Sequence, residues 1–149
     1  MADHATQTAE IAAPVDQVLG ALLDFDTYPR WAHDLKGVTV ESRDEQGRGR
    51  EVTFRAAAMG RSTSYTLRYS YEEDPIRVVW ELVRGDITRG IDGSYTLTPV
   101  EGDPSRTSAT YDLMVDLVVP LPGFVKRRAE AKIIHAALRE LRTHLEPST

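Results

Sequence analysis

From residue 50 onwards, apolar and polar residues alternate through one stretch after another. Arg50–Ala58 sets Val52, Phe54 and Ala56 on one side and Glu51, Thr53 and Arg55 on the other. Ser62–Tyr71 sets Tyr65, Leu67, Tyr69 and Tyr71 against Thr66, Arg68 and Ser70. Arg77–Val83 places Val78, Trp80 and Leu82 together, and Gly90–Val100 places Tyr95 and Leu97 opposite Ser94, Thr96 and Thr98. Arg106–Val119 sets Ala109, Tyr111, Leu113, Val115 and Leu117 against Thr110, Asp112 and Asp116. A period of two belongs to strands with one buried and one wet face. The breaks are short and turn-like: Asp44–Gly49, Met59-Gly60-Arg61, Glu72–Pro75 and Glu101–Pro104. Strands joined so closely pair antiparallel.

The two ends read differently. Thr6–Ala12 predicts a first strand. Pro14 then suits a first helical turn, and Val15, Val18, Leu19, Leu22 and Leu23 follow at helical spacing. A short second helix is expected around Tyr28-Pro29-Arg30-Trp31, and a strand over Leu35–Arg43. Gly123–Leu145 predicts one long helix. At 100° per residue Phe124, Ala131, Ile134, Leu138, Leu141 and Leu145 share an arc, and the helix runs about 35 Å at 1.5 Å per residue. The order is strand, two short helices, six strands, long helix. One sheet face is polar, so the terminal helix must cover the other. The fold class is α+β, and a single domain over 1–149 is expected from the length.

Composition narrows the function. A net charge of −5 argues against nucleic acid as a partner. No apolar run reaches the roughly 18 residues of a membrane span, so no stable membrane insertion is expected. The first ten residues show no basic region followed by an apolar one, and there is no cysteine; both fit a cytoplasmic protein. The terminal helix is nevertheless basic, with Lys126, Arg127, Arg128, Lys132, Arg139 and Arg142 against Glu130 and Glu140. That is either a solvated face or a functional patch.

Candidate catalytic chemistry is sparse. No serine elbow, HExxH or phosphate loop is present, and no metal or cofactor is expected. Asp112 and Asp116 share the polar strand face, where solvation is the simpler role. His33 reads as exposed. His135 lies beside the apolar arc with Arg128 two turns earlier on nearly the same side. Turned inward, that pair could hold a carboxylate or ketone oxygen; turned outward, it is solvated.

Several segments together resemble a known family. They are Ala13-Pro14-Val15-Asp16-Gln17-Val18, Tyr28-Pro29-x-Trp31, Gly93-Ser94-Tyr95-x-Leu97-x-Pro99, and Pro120-Leu121-Pro122-Gly123-Phe124 leading into a helix with Leu138-Arg139-Glu140-Leu141. This is the pattern of the START-like (SRPBCC) superfamily of polyketide cyclases, dehydrases and lipid carriers. The resemblance covers nearly the whole chain. It implies a helix-grip fold: a seven-stranded, curved antiparallel sheet wrapped around the terminal helix, with two short helices after the first strand closing a cavity. Members commonly bind lipids, sterols, polyketides or quinones there.

The inward strand faces fit that expectation. Phe54, Tyr65, Leu67, Tyr69, Trp80, Tyr95, Tyr111 and Leu113 point toward the helix, with small Ala56, Ala58, Ala109 and Ala131 among them. They are core filler on one reading and pocket walls on the other. The expected ligand-binding residues are Trp31, Phe54, Tyr65, Leu67, Trp80, Tyr95, Tyr111, Leu113, Phe124, Arg128, Ala131 and His135. The leading function is a carrier or sensor for a hydrophobic small molecule. The alternatives are a cyclase, aromatase or dehydratase in the same cavity, and an interaction protein using the basic helix. A homodimer is left open.

Overall fold

The computed structural model of the chain describes residues 5–58, 61–118 and 122–146. The expected connection at Met59-Gly60, the Pro120-Leu121 stretch and the end of the last strand at Val119 lie outside the described residues. The strands are β1 (Ala5–Ile11), β2 (Leu35–Arg43), β3 (Gly49–Ala58), β4 (Arg61–Glu73), β5 (Ile76–Gly85), β6 (Thr88–Val100) and β7 (Asp103–Leu117). The helices are α1 (Val15–Leu23), α2 (Tyr28–Trp31) and α3 (Gly123–Leu145), with a 3-10 turn at Phe25–Thr27. The strands form one curved antiparallel sheet in the order β1-β7-β6-β5-β4-β3-β2. From β2 to β7 the chain meanders through short turns. Positive φ at Gly47 (82°) and Gly102 (79°) lets two of these hairpins close.

Only β1 breaks the meander. It pairs with β7, from Ala5 opposite Leu113 to Ile11 opposite Thr107. The chain must then cross from one sheet edge to the other before β2 begins, and α1 and α2 make that crossing. Helix α1 buries Val18 and Leu22, and α2 buries Tyr28 and Trp31. Alternation sorts the strands as expected: Val52, Phe54, Leu67, Tyr69, Val78, Trp80, Tyr95, Leu97, Ala109, Tyr111 and Leu113 are all buried.

Helix α3 packs against β1 and β7. Its buried line is Glu130, Ile134, Leu138 and Leu141. The C-terminal half therefore uses the expected arc, and the N-terminal half does not. Phe124 is 62% exposed, and a glutamate sits in the position of closest packing. The reason is geometric. Steps of four residues carry the contact line from Ile134 back to Glu130, and α3 has apolar side chains on both flanks there, so periodicity alone chose the wrong flank. No described helix is long and apolar enough to cross a membrane.

Candidate functional site

Strand register assembles the site. Phe54 lies opposite Tyr65, Tyr69 opposite Trp80, and Tyr95 opposite Tyr111. Side chains directly opposite on one face meet, and the rings do so: Phe54 and Tyr65 have centroids 5.5 Å apart, and Tyr69 and Trp80 5.8 Å. Tyr95 and Tyr111 meet edge to face at 4.5 Å. Trp80 joins the groups, 5.6 Å from Tyr95 and 5.5 Å from Tyr111. It can do so because its cross-strand partner is Gly93. A Cβ on Gly93 would lie 2.5 Å from the indole, so the ring lies across bare backbone.

The crossing segment continues this chain of rings. Phe25 is 4.8 Å from Tyr69 and 5.3 Å from Tyr28, and Tyr28 is 4.9 Å from Trp31. Trp31 stacks on His144 of α3 at 5.4 Å and 14°. The exposed His33, beside Trp31, places Nδ1 2.9 Å from the Glu140 carboxylate, a second tie between this segment and α3. Phe25 and Tyr28 complete the aromatic wall, yet periodicity did not single them out. They belong to a 3-10 turn and a four-residue helix, too short to show a period. Tyr28 was marked only by the Tyr28-Pro29-x-Trp31 motif, and Phe25 only by the aromatic-rich stretch Phe25–Trp31.

The hydroxyls divide into two sets. Tyr28 OH donates to Leu22 O and Tyr71 OH to Gly49 O, each at 2.5 Å. Those of Tyr65, Tyr69, Tyr95 and Tyr111 have no hydrogen-bond partner among the described residues. Tyr69, Tyr95 and Tyr111 are nonetheless more than nine-tenths buried. Burial pushes the phenols of Tyr28, Tyr69, Tyr95 and Tyr111 well up, with smaller contributions from neighbouring tyrosines. Burial, helped by the Asp34 charge, takes Tyr65 up to about 12. At neutral pH these groups are hydrogen-bond donors and not bases.

That has a measurable consequence. Each phenol's folded pKa lies above its unfolded value of 10.0. Between pH 10 and the folded values the unfolded chain binds fewer protons, so stability falls as pH rises. For Tyr65 the loss spans pH 10.0 to about 12. The expected alkaline titration shows a melting temperature dropping above pH 10, with tyrosinate absorbance appearing together with unfolding. Tyrosinate absorbance that rises at pH 10 in the still-folded protein would contradict these buried positions.

Of the expected site residues, Trp31, Phe54, Leu67, Trp80, Tyr95, Tyr111 and Leu113 are buried on the interior face, and Tyr65 is half-buried beside Phe54. Ala131 is half-buried on the flank of α3. Phe124, Arg128 and His135 depart from expectation, because all three are exposed. They follow the flank that the contact line leaves, so the Arg128–His135 pair does not serve the interior. The side chain of Ala58 lies outside the described ones.

The one charged group on the buried line is Glu130. Its Oε2 accepts the Val115 N–H at 2.7 Å and lies 2.9 Å from Lys126 Nζ. Its Oε1 has no partner among the described residues. The i, i+4 spacing to Lys126 was visible in the sequence, but its burial was not. Two open depressions lie elsewhere. One, of about 490 Å³, is on the outer sheet face among Arg68, Arg77, Glu81, Asp92 and Ser94. The other, of about 790 Å³, lies beside Glu10, Thr98 and Arg106. Among the described residues no group of three or more acidic or histidine side chains could hold a metal ion.

The family described as Polyketide cyclase / dehydrase and lipid transport matches residues 2–146. No curated protein matches the chain. Several solved structures share its fold. A START superfamily protein from Mycobacterium smegmatis has 22% identity and a TM-score of 0.88, covering 95% of this chain and 96% of that one. The Zhui aromatase/cyclase from Streptomyces sp. R1128 has 15% identity and a TM-score of 0.81, covering 97% and 94%. A STAR-related lipid transfer protein fragment from Xanthomonas axonopodis has 20% identity and a TM-score of 0.73, covering 95% and 85%. At these identities the likeness is one of fold.

Proposed function

Because this chain belongs to the Polyketide cyclase / dehydrase and lipid transport family, we propose that it carries or senses a hydrophobic small molecule bound between α3 and the concave sheet face. The supporting observation is the set of buried tyrosines whose hydroxyls have no partner among the described residues. Trp31 Nε1, in the same wall, is buried without a partner among the described residues, and a buried donor left unpaired costs about 1–3 kcal/mol. A flat, oxygen-bearing ligand of polyketide or quinone type gives these donors partners, because its carbonyls accept from Tyr69, Tyr95 and Tyr111 while its rings pack on Trp80 and Phe54. A saturated acyl chain leaves the hydroxyls unpaired. Ala131 is the small residue on the helix side of the ligand.

Thermal-shift titration with an aromatic polyketide, a sterol and a fatty acid tests this. A ligand at 100 times its dissociation constant adds about 2.7 kcal/mol of stability, or roughly 5–10 °C in a chain of this size. The polyketide should give the largest shift. Tyr95→Phe/Tyr111→Phe and Ala131→Trp should each weaken that shift more than they lower the unliganded melting temperature. If none of the three compounds moves the transition, the binding reading fails.

The same neutral phenols support a second reading. A phenol donating to a ketone oxygen stabilises the charge that develops there during cyclisation. Incubation with a poly-β-ketone thioester separates the two readings. Faster appearance of an aromatic product than in buffer supports a cyclase, and binding without product supports the carrier.

A further inference from the structure

At 100° per residue Arg128, Lys132, Val125, Ala129 and Ile133 follow one another around the outer side of the α3 N-terminal half, and all five are exposed. Val125 is 37% and Ile133 45% exposed. Arg127, Arg128 and Lys132 have no carboxylate partner among the described residues. Residues 122–133 carry four cations and one carboxylate, a net of +3. With −5 in total, the rest of the chain therefore carries −8.

We infer that this face docks on an anionic lipid bilayer, with Val125 and Ile133 entering the headgroup boundary and Arg128 and Lys132 contacting lipid phosphates. Apolar side chains interleaved with unneutralised cations on one side of a helix suit that boundary, which offers apolar depth and negative charge together. Other occupants fit less well. A second copy meeting through the same patch would set these cations against their own counterparts. A nucleic acid would use the cations but leave Ile133 and Val125 in water. The acidity of the remaining surface keeps the molecule from lying on the bilayer in another orientation. The docking does not depend on what the interior binds.

The test is flotation with vesicles of phosphatidylcholine, with and without phosphatidylserine, alongside sedimentation velocity of the protein alone. The parent should float with the anionic vesicles only, and less as salt rises. Arg128→Gln/Lys132→Gln should weaken this binding roughly 25-fold, at about fivefold per cation. Val125→Ser/Ile133→Ser should abolish it at an unchanged melting temperature, since both positions are exposed. Equal binding to both vesicle types, or variants that float like the parent, would overturn the proposal. So would a concentration-dependent dimer that the same substitutions dissolve, because that would assign the face to a second copy.

Discussion

Gly93→Ala should lower the melting temperature by several degrees although it adds one methyl group to a strand. The added Cβ would lie 2.5 Å from three atoms of the Trp80 indole. The ring has no easy retreat, because Tyr69, Tyr95 and Tyr111 surround it with centroids 5.5–5.8 Å away. Overpacking of this kind costs about 1–3 kcal/mol, or roughly 2–12 °C in a chain of this length. Replacing glycine by alanine otherwise stabilises by about 0.4–1 kcal/mol through the unfolded chain, so a drop reports the collision itself. Trp80→Phe in the Gly93→Ala background should recover part of the loss, because a smaller ring clears the Cβ. Thermal melts of the parent, both single variants and the double variant measure this. An unchanged melting temperature in Gly93→Ala, or strictly additive losses in the double variant, would show that the indole does not lie across Gly93.

How much of this was legible beforehand follows from which forces are local. Alternation is local, so Phe54, Leu67, Tyr69, Trp80, Tyr95, Tyr111 and Leu113 could be assigned to the buried face without coordinates, and β2 appears at its expected bounds. Register is not local. That Trp80 faces Gly93, and Tyr95 faces Tyr111, depends on hairpin lengths and on a bulge near Thr66–Leu67. The contact line of α3 is less local still. Ile134, Leu138 and Leu141 share one side under any projection, but Phe124 and Glu130 compete for the first two turns. There the outcome depends on a polar contact with β7, and hydrophobic periodicity assigns no such contact to a glutamate.

That polar contact supplies the second large effect: Lys126→Met should destabilise the protein by about 3 kcal/mol. Glu130 is only 1% exposed, and its Oε2 takes the Val115 N–H at 2.7 Å and the Lys126 ammonium at 2.9 Å. Without Lys126, a buried carboxylate keeps one backbone donor and no neutralising charge. Broken buried pairs cost about 3–5 kcal/mol. The lower end applies because the Lys126 side chain is 23% exposed, so water partly replaces it. Glu130→Leu leaves the Val115 amide unpaired, at about 1–3 kcal/mol. In Lys126→Met/Glu130→Leu no charge is buried, and only that amide goes unpaired. The double variant should therefore be more stable than Lys126→Met alone, although it carries one more substitution. Urea unfolding midpoints of the four proteins give the coupling directly. If Lys126→Met matches the parent, or the double variant loses the sum of the single losses, the N-terminal half of α3 is not held on β7 by this pair.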